Sequence, residues 1–146
     1  MSPSDKEIDI TNQSKRGGKI KWIVGGILML FAVAAAMNLP RGYSDDLSRT
    51  GQGIPAIILI RDKNAVQTFE LMNAMDSVRS QYSGKVEFLL TDFNTTEGRK
   101  FMEINQAGRA TLVLLDASGK KVNILGAPQT KESLQKEIAD SFGINP

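Results

Sequence analysis

Cysteine and histidine are both missing from this chain of 146 residues. Without a thiol there is no thiolate nucleophile, no disulfide and no thiolate metal ligand. Without imidazole there is no side chain that titrates unperturbed near neutrality. Most familiar catalytic constellations have no residues to run on, and neither a cofactor nor a metal is expected. The missing cysteines leave the compartment open, because disulfides are common in oxidising surroundings but not obligatory there. The length accommodates one domain of ordinary size plus a tail or an anchor.

Charge is absent from one long stretch. From Trp22 to Leu39 the chain reads "WIVGGILMLFAVAAAMNL", eighteen residues with Asn38 the only strongly polar one, close to the ~20 residues a bilayer-spanning helix needs. A transmembrane helix is therefore expected over residues 20–39, with Trp22 as an interfacial anchor. Lys15, Arg16, Lys19 and Lys21 precede it, whereas Arg41 and Arg49 after it are offset by Asp45 and Asp46. The positive-inside rule then keeps the N-terminus in the cytoplasm and sends the rest across, into a bacterial periplasm. A cleaved signal peptide is a competing reading, since "AVAAAM" holds an Ala-x-Ala pattern, but the polar segment before it is long for that purpose. A buried core helix is a further alternative. Gly25, Ala32 and Ala36 fall near one stripe and are the candidates for close packing against another membrane helix.

Residues 1–19 are polar and rich in turn formers, and read as a cytoplasmic tail. Residues 40–53, "PRGYSDDLSRTGQG", have the composition of a linker. The folded domain is expected over residues 54–146. Between Ile54 and Gly143 there are eleven Lys plus Arg and eleven Asp plus Glu; a neutral domain without a basic stripe argues against nucleic acid, while the basic residues of the tail suit anionic lipid headgroups.

Within the domain, "AIILIRD" is an apolar run of strand length, of the kind buried on both faces of a sheet. Val66, Phe69, Met72, Met75, Val78 and Tyr82 then recur every three to four residues, predicting a helix that buries them and stops at Ser83-Gly84. "KVEFLLTDF" is a second strand. "TTEGRKFMEINQAG" follows as a helix capped by Thr95 or Thr96, with Phe101 and Ile104 inward. "ATLVLLD", a turn at "ASGK" with Gly119 in positive φ, and "KVNIL" form a hairpin. "QTKESLQKEIADSFG" closes the chain as a helix capped by Thr130, burying Leu134, Ile138 and Phe142 and ending at Gly143. Asp92 and Asp116, at strand ends, are expected to set turns. The order β-α-β-α-β-β-α predicts an α/β fold, a mixed four-stranded sheet with a parallel crossover and flanking helices.

This order, together with "SQYSGKVEFLLTDFN", "GRATLVLLDASGKKV" and "LGAPQTKESLQKEI", resembles thioredoxin over Ile54 to Gly143. The resemblance places the family's Cys-x-x-Cys pair on Ala65 and Thr68, its cis-proline on Ala110 and its buried acid near Leu59, so none of the three parts of the redox site is present. It implies a thioredoxin-like domain with no thiol chemistry. Thr68 is then read as the helix N-cap, Asn64 and Gln67 as exposed turn residues, and Arg109, beside the lost proline, as a solvated side chain or one that reaches the same surface. The surface left for a partner comprises Asn64, Ala65, Val66, Gln67, Thr68, Arg109 and Ala110. The expected function is that of a non-catalytic, membrane-anchored accessory or assembly subunit contacting an integral-membrane protein or complex. The alternatives are a thioredoxin-like enzyme with non-thiol chemistry, using a hydroxyl such as that of Thr68 or a cofactor supplied by a partner, and a secreted chaperone-like domain.

Overall fold

The run from Ala56 to Ile60 is apolar because it is covered on both faces. A computed structural model describes residues 23–30 and 42–146, and the chain divides into two units, Met1–Arg41 and Gly42–Pro146. In the second unit, strand β1 (Ala56–Arg61) lies inside a four-stranded sheet of order β2-β1-β3-β4, with β2 at Glu87–Asp92, β3 at Thr111–Leu115 and β4 at Lys121–Leu125. β1 and β2 are parallel; β3 is antiparallel to β1 and to β4. The helices are α1 (Val66–Arg79), α2 (Thr96–Asn105) and α3 (Lys131–Phe142), so the observed order is the expected β-α-β-α-β-β-α.

Strand alternation distributes the core between two layers. Ile57 and Leu59, with Phe88, Leu90, Leu112 and Leu114, pack under α1 and α3, where Leu71, Met75, Val78, Leu134 and Ile138 are fully buried. Ala56, Ile58 and Ile60, with Leu89 and Val113, face the other way, against Phe101 and Met102 of α2.

The sequence marks helix α1 correctly and its buried face in part: Met75, Val78 and Tyr82 are buried as expected, and Val66 and Phe69 are not. Thr68, Leu71, Met75, Val78 and the following Tyr82 are buried, whereas Val66 is 69% and Phe69 57% exposed. Steps of three from Val66 to Met75 advance less than one turn each and drift off a 3.6-residue face; the set 68, 71, 75, 78, 82 holds it. For the same reason α2 turns Gly98, Phe101, Met102 and Asn105 inward and leaves Ile104 69% exposed. Gly98 is required by a close approach: a Cβ there would lie 2.0 Å from the Asp92 carbonyl oxygen.

The caps follow the sequence elsewhere. Thr95 accepts from Gly98 N–H, Thr130 and Ser133 form a capping box, and Gly143 ends α3 with φ 68°. Gly119 takes φ 84° in the hairpin turn.

The segment read as a linker is, from Gly42 onward, part of the folded unit. Ser44 bridges to Leu89, Leu47–Arg49 form a 3-10 turn, Arg49 pairs with Glu87, and Gly53 N–H donates to the Ala117 carbonyl at 3.0 Å. Its turn formers wrap a short chain closely over the sheet edge and hairpin.

In the first unit, residues 23–30 are helical, and Ile23, Ile27, Leu28, Met29 and Leu30 are all more than half exposed. A Cβ on Gly25 would meet nothing within 4 Å. Among the described residues no helix is long and apolar enough to cross a membrane. Most of the expected span over 20–39, the tail 1–19, Ala32 and Ala36 lie outside the described residues.

Candidate functional site

The turn between β1 and α1 is organised by Asp62, the residue the sequence reading passed over. Its Oδ1 accepts from Asn64 N–H at 3.0 Å and its carbonyl from Ala65 N–H at 3.1 Å, while its own N–H donates to Thr68 Oγ1 at 3.1 Å. The signal was available, since an aspartate two residues before a turn amide is an Asx turn. The same Asp-x-Asn or Asp-x-Ser arrangement recurs at Asp46, Asp92 and Asp116, each accepting the N–H two residues on. Asp92 and Asp116 thus set turns as expected.

Ala65, not Thr68, is the N-cap of α1, and it provides no side-chain cap. Thr68 lies one turn inside, 1% exposed, with its hydroxyl engaged by Asp62. It is therefore withdrawn from the solvent-facing surface of the turn. Asn64, Val66 and Gln67 are exposed, Ala65 is half-buried, and Phe69 joins Val66 one turn along the same face.

Arg109 is exposed, as expected, and also meets this turn. Its guanidinium lies 3.9 Å from an Asp62 carboxylate oxygen and 4.7 Å from the centroid of the Phe93 ring, a cation–π arrangement. Ala110, at the position expected for the family's cis-proline, has φ 50°, and its N–H donates to the Ile60 carbonyl at 2.9 Å. An L-residue in this left-handed region costs roughly 1–2 kcal/mol. The cis peptide bond among the described residues is Ala127–Pro128, after β4. Leu59, where the buried acid would fall, is fully buried in the core.

Asp92 gathers the remaining charges. Its Oδ2 is 3.1 Å from Arg61 Nη2 and 3.3 Å from Lys63 Nζ. The Asn94 amide, then Arg61 and Lys63, hold its carboxyl down to about 2, against desolvation acting the other way. Beside it opens a cleft of about 510 Å³, bordered by Asp45, Arg61, Lys63, Leu90, Asp92 and Glu97. Among the described residues no group of three or more acidic side chains is placed to hold a metal ion.

The chain carries no thiol with which to exchange disulfides at this turn. What the turn presents instead is an exposed apolar corner, Val66 and Phe69, flanked by amides and by the Arg109–Phe93 pair.

No known family matches the chain, and no curated protein does. Solved structures do. A thioredoxin-like protein from Clostridium perfringens is 18% identical with a TM-score of 0.59, over 66% of this chain and 78% of that one. Thioredoxin O2 from Arabidopsis thaliana in the oxidised state is 11% identical with a TM-score of 0.52, over 64% and 79%. T. cruzi GPX1 is 16% identical with a TM-score of 0.51, over 70% and 92%. The chain therefore has the thioredoxin-like fold, and has it without a cysteine.

Proposed function

We propose that this is a non-catalytic thioredoxin-like protein, tethered by its apolar N-terminal segment and acting through protein contacts at the β1–α1 corner. The observation that carries this reading is the exposure of Val66 and Phe69 at the turn where a thiol pair would otherwise stand. Two large apolar side chains at 69% and 57% exposure stand outside both core layers, and a paired apolar surface beside fixed polar groups is what a partner interface uses. The Thr68 hydroxyl is a poor alternative nucleophile, because it is buried, accepts from Asp62 and has no imidazole to activate it.

The anchor, the cytoplasmic N-terminus and the periplasmic domain rest on the uncharged run over 22–39 and on the lysine and arginine asymmetry around it. The partner is then an integral-membrane protein or complex of the bacterial inner membrane, with this chain an accessory or assembly subunit. Gly25, Ala32 and Ala36 offer a small-residue stripe for it.

The test is co-purification of the full chain from membranes in mild detergent, beside the double variant Val66→Asn/Phe69→Asn. Loss of a stoichiometric membrane partner from the variant, with the melting temperature unchanged, is the expected result. An undiminished yield would remove the corner from the interface. Replacing residues 22–39 by poly-leucine tests the span separately: partner retained at full yield makes it an anchor only. Protease on spheroplasts should release the domain; protection until the membrane is broken would reverse the orientation.

A further inference from the structure

The sheet edge at β2 is only partly covered. Ser44 lies parallel to β2 for a single bridge, to Leu89, and its carbonyl accepts from Leu90 N–H at 2.9 Å. In a parallel ladder the next rung would run from Asp46 N–H to the Leu90 carbonyl. That N–H instead donates to Ser44 Oγ at 3.2 Å, and the chain turns off into Leu47–Arg49. β2 itself continues to Asp92. A residue in a strand directs its N–H and C=O to the same side, so the Leu90 carbonyl faces the side that Ser44 has just left. An edge acceptor of this kind is a template for a further strand.

The open edge borders the cleft of about 510 Å³, and the cleft's charges are unevenly satisfied. Asp92 is neutralised by Arg61 and Lys63. Asp45 and Glu97 are exposed and in no ion pair among the described residues. Arg61 gives Nη2 to Asp92, while its Nε is buried with no acceptor among the described residues; the side chain is 32% exposed, so its guanidinium has donors left over. The cleft thus combines a peptide-like acceptor, surplus donors for a carbonyl, and two carboxylates without a cation.

We propose that the cleft binds an extended polypeptide segment bearing a lysine or arginine, laid along β2 beyond Ser44. A peptide N–H of the segment bonds the Leu90 carbonyl, a peptide carbonyl takes an Arg61 donor, and the basic side chain sits by Asp45 and Glu97. This is strand addition with charge selecting the sequence. It is a second contact surface, independent of the Val66–Phe69 corner and of the membrane tether.

The experiment uses the full chain in mild detergent and fluorescein-labelled heptapeptides, followed by anisotropy and by amide NMR shifts. One peptide alternates valine and lysine, a second is the same with its edge-facing amides N-methylated, and a third alternates valine and glutamate. Binding of the first is expected, with shifts at Asp45, Asp46 and Leu90–Asp92. N-methylation should weaken it roughly three- to tenfold, and Asp45→Asn and Glu97→Gln about two- to fivefold each. The glutamate peptide should not bind. Equal binding of the lysine and glutamate peptides, indifference to N-methylation, shifts mapping elsewhere, or no binding at millimolar peptide would each overturn the assignment. So would self-association of the chain that occupies the edge and resists competition by the lysine peptide, because the occupant would then be a second copy.

Discussion

Thr68 Oγ1 accepts the backbone N–H of Asp62 at 3.1 Å, closing the β1–α1 turn from inside the helix it precedes. A cap placed at the helix boundary would satisfy the first turn of α1. This hydroxyl reaches back instead and ties the strand end to the helix, so that the exposed corner is held by a half-buried bond. Rigidity at a contact surface lowers the entropy lost on binding, which gives the bond a place in the proposed function as well as in the fold.

Removing that acceptor should loosen the corner without opening the core. Thr68→Val keeps the volume and loses the bond, at a cost of about 1 kcal/mol, whereas Thr68→Ser keeps the bond. Urea melts of both variants check this, and equal stability of Val and Thr would mean that the bond contributes nothing net.

Acid should weaken the domain through its turn aspartates. The folded value of Asp92 lies near 2, below the unfolded value of about 3.9, so the folded state binds fewer protons. Its contribution is complete above about pH 4 and disappears as the pH falls through about 2. The Ser48 and Ser118 hydroxyls and neighbouring amides lower Asp46 and Asp116 in the same direction. Asp92→Asn should therefore cost about 1–2 kcal/mol at pH 7, cost little at pH 2, and flatten only part of the decline. Thermal melts from pH 7 to pH 2 on both proteins measure it.

A pair of cysteines restores the test of alignment. Ala65 is the N-cap and Thr68 stands three residues on, with Thr68 N–H donating to the Ala65 carbonyl at 3.1 Å. Ala65→Cys/Thr68→Cys should form an intramolecular disulfide under oxidant, because one helical turn brings the two Cβ atoms within the range a disulfide spans, and a helix N-terminus favours the thiolate. Free-thiol titration before and after oxidation decides; a pair that stays reduced would show the turn to be misregistered.

Apolar runs, caps and turn residues made much of the fold legible. "AIILIRD" and "ATLVLLD" are strands as their apolar runs suggest, and Thr95, Thr130, Gly119 and Gly143 do what their types and positions imply. Helix faces were harder, because the exposed Val66, Phe69 and Ile104 are apolar and mimic the core at steps of three. The corner was legible as a place and not as a surface. Thr68 is buried and caps no helix end, and the contacts of the exposed Arg109 with Asp62 and Phe93, across 47 and 16 positions, leave no local trace in the sequence. The packed segment from Gly42 was hidden by its linker-like composition, and the β2 cleft because it joins residues from four separate stretches.

Tyr82 provides the sharpest stability test. It follows α1 as the last residue of a 3-10 turn, Ser80–Tyr82, and is fully buried; its hydroxyl has no hydrogen-bond partner among the described residues, and burial raises its pKa. A buried hydroxyl without a partner has lost its water and gained nothing in return, a deficit of about 1–3 kcal/mol. The ring itself packs into the layer formed by Leu71, Met75 and Val78, so the ring should stay and the oxygen should go. Tyr82→Phe leaves a gap no larger than one oxygen atom, which costs less than the restored desolvation yields. The expected result is a gain of about 1 kcal/mol in urea unfolding with an unchanged m-value. Tyr82→Ala should lose about 3–5 kcal/mol as a large cavity opens. A Phe variant less stable than the native chain would mean that the hydroxyl has a partner, bound water included, and that Tyr82 belongs to a polar network.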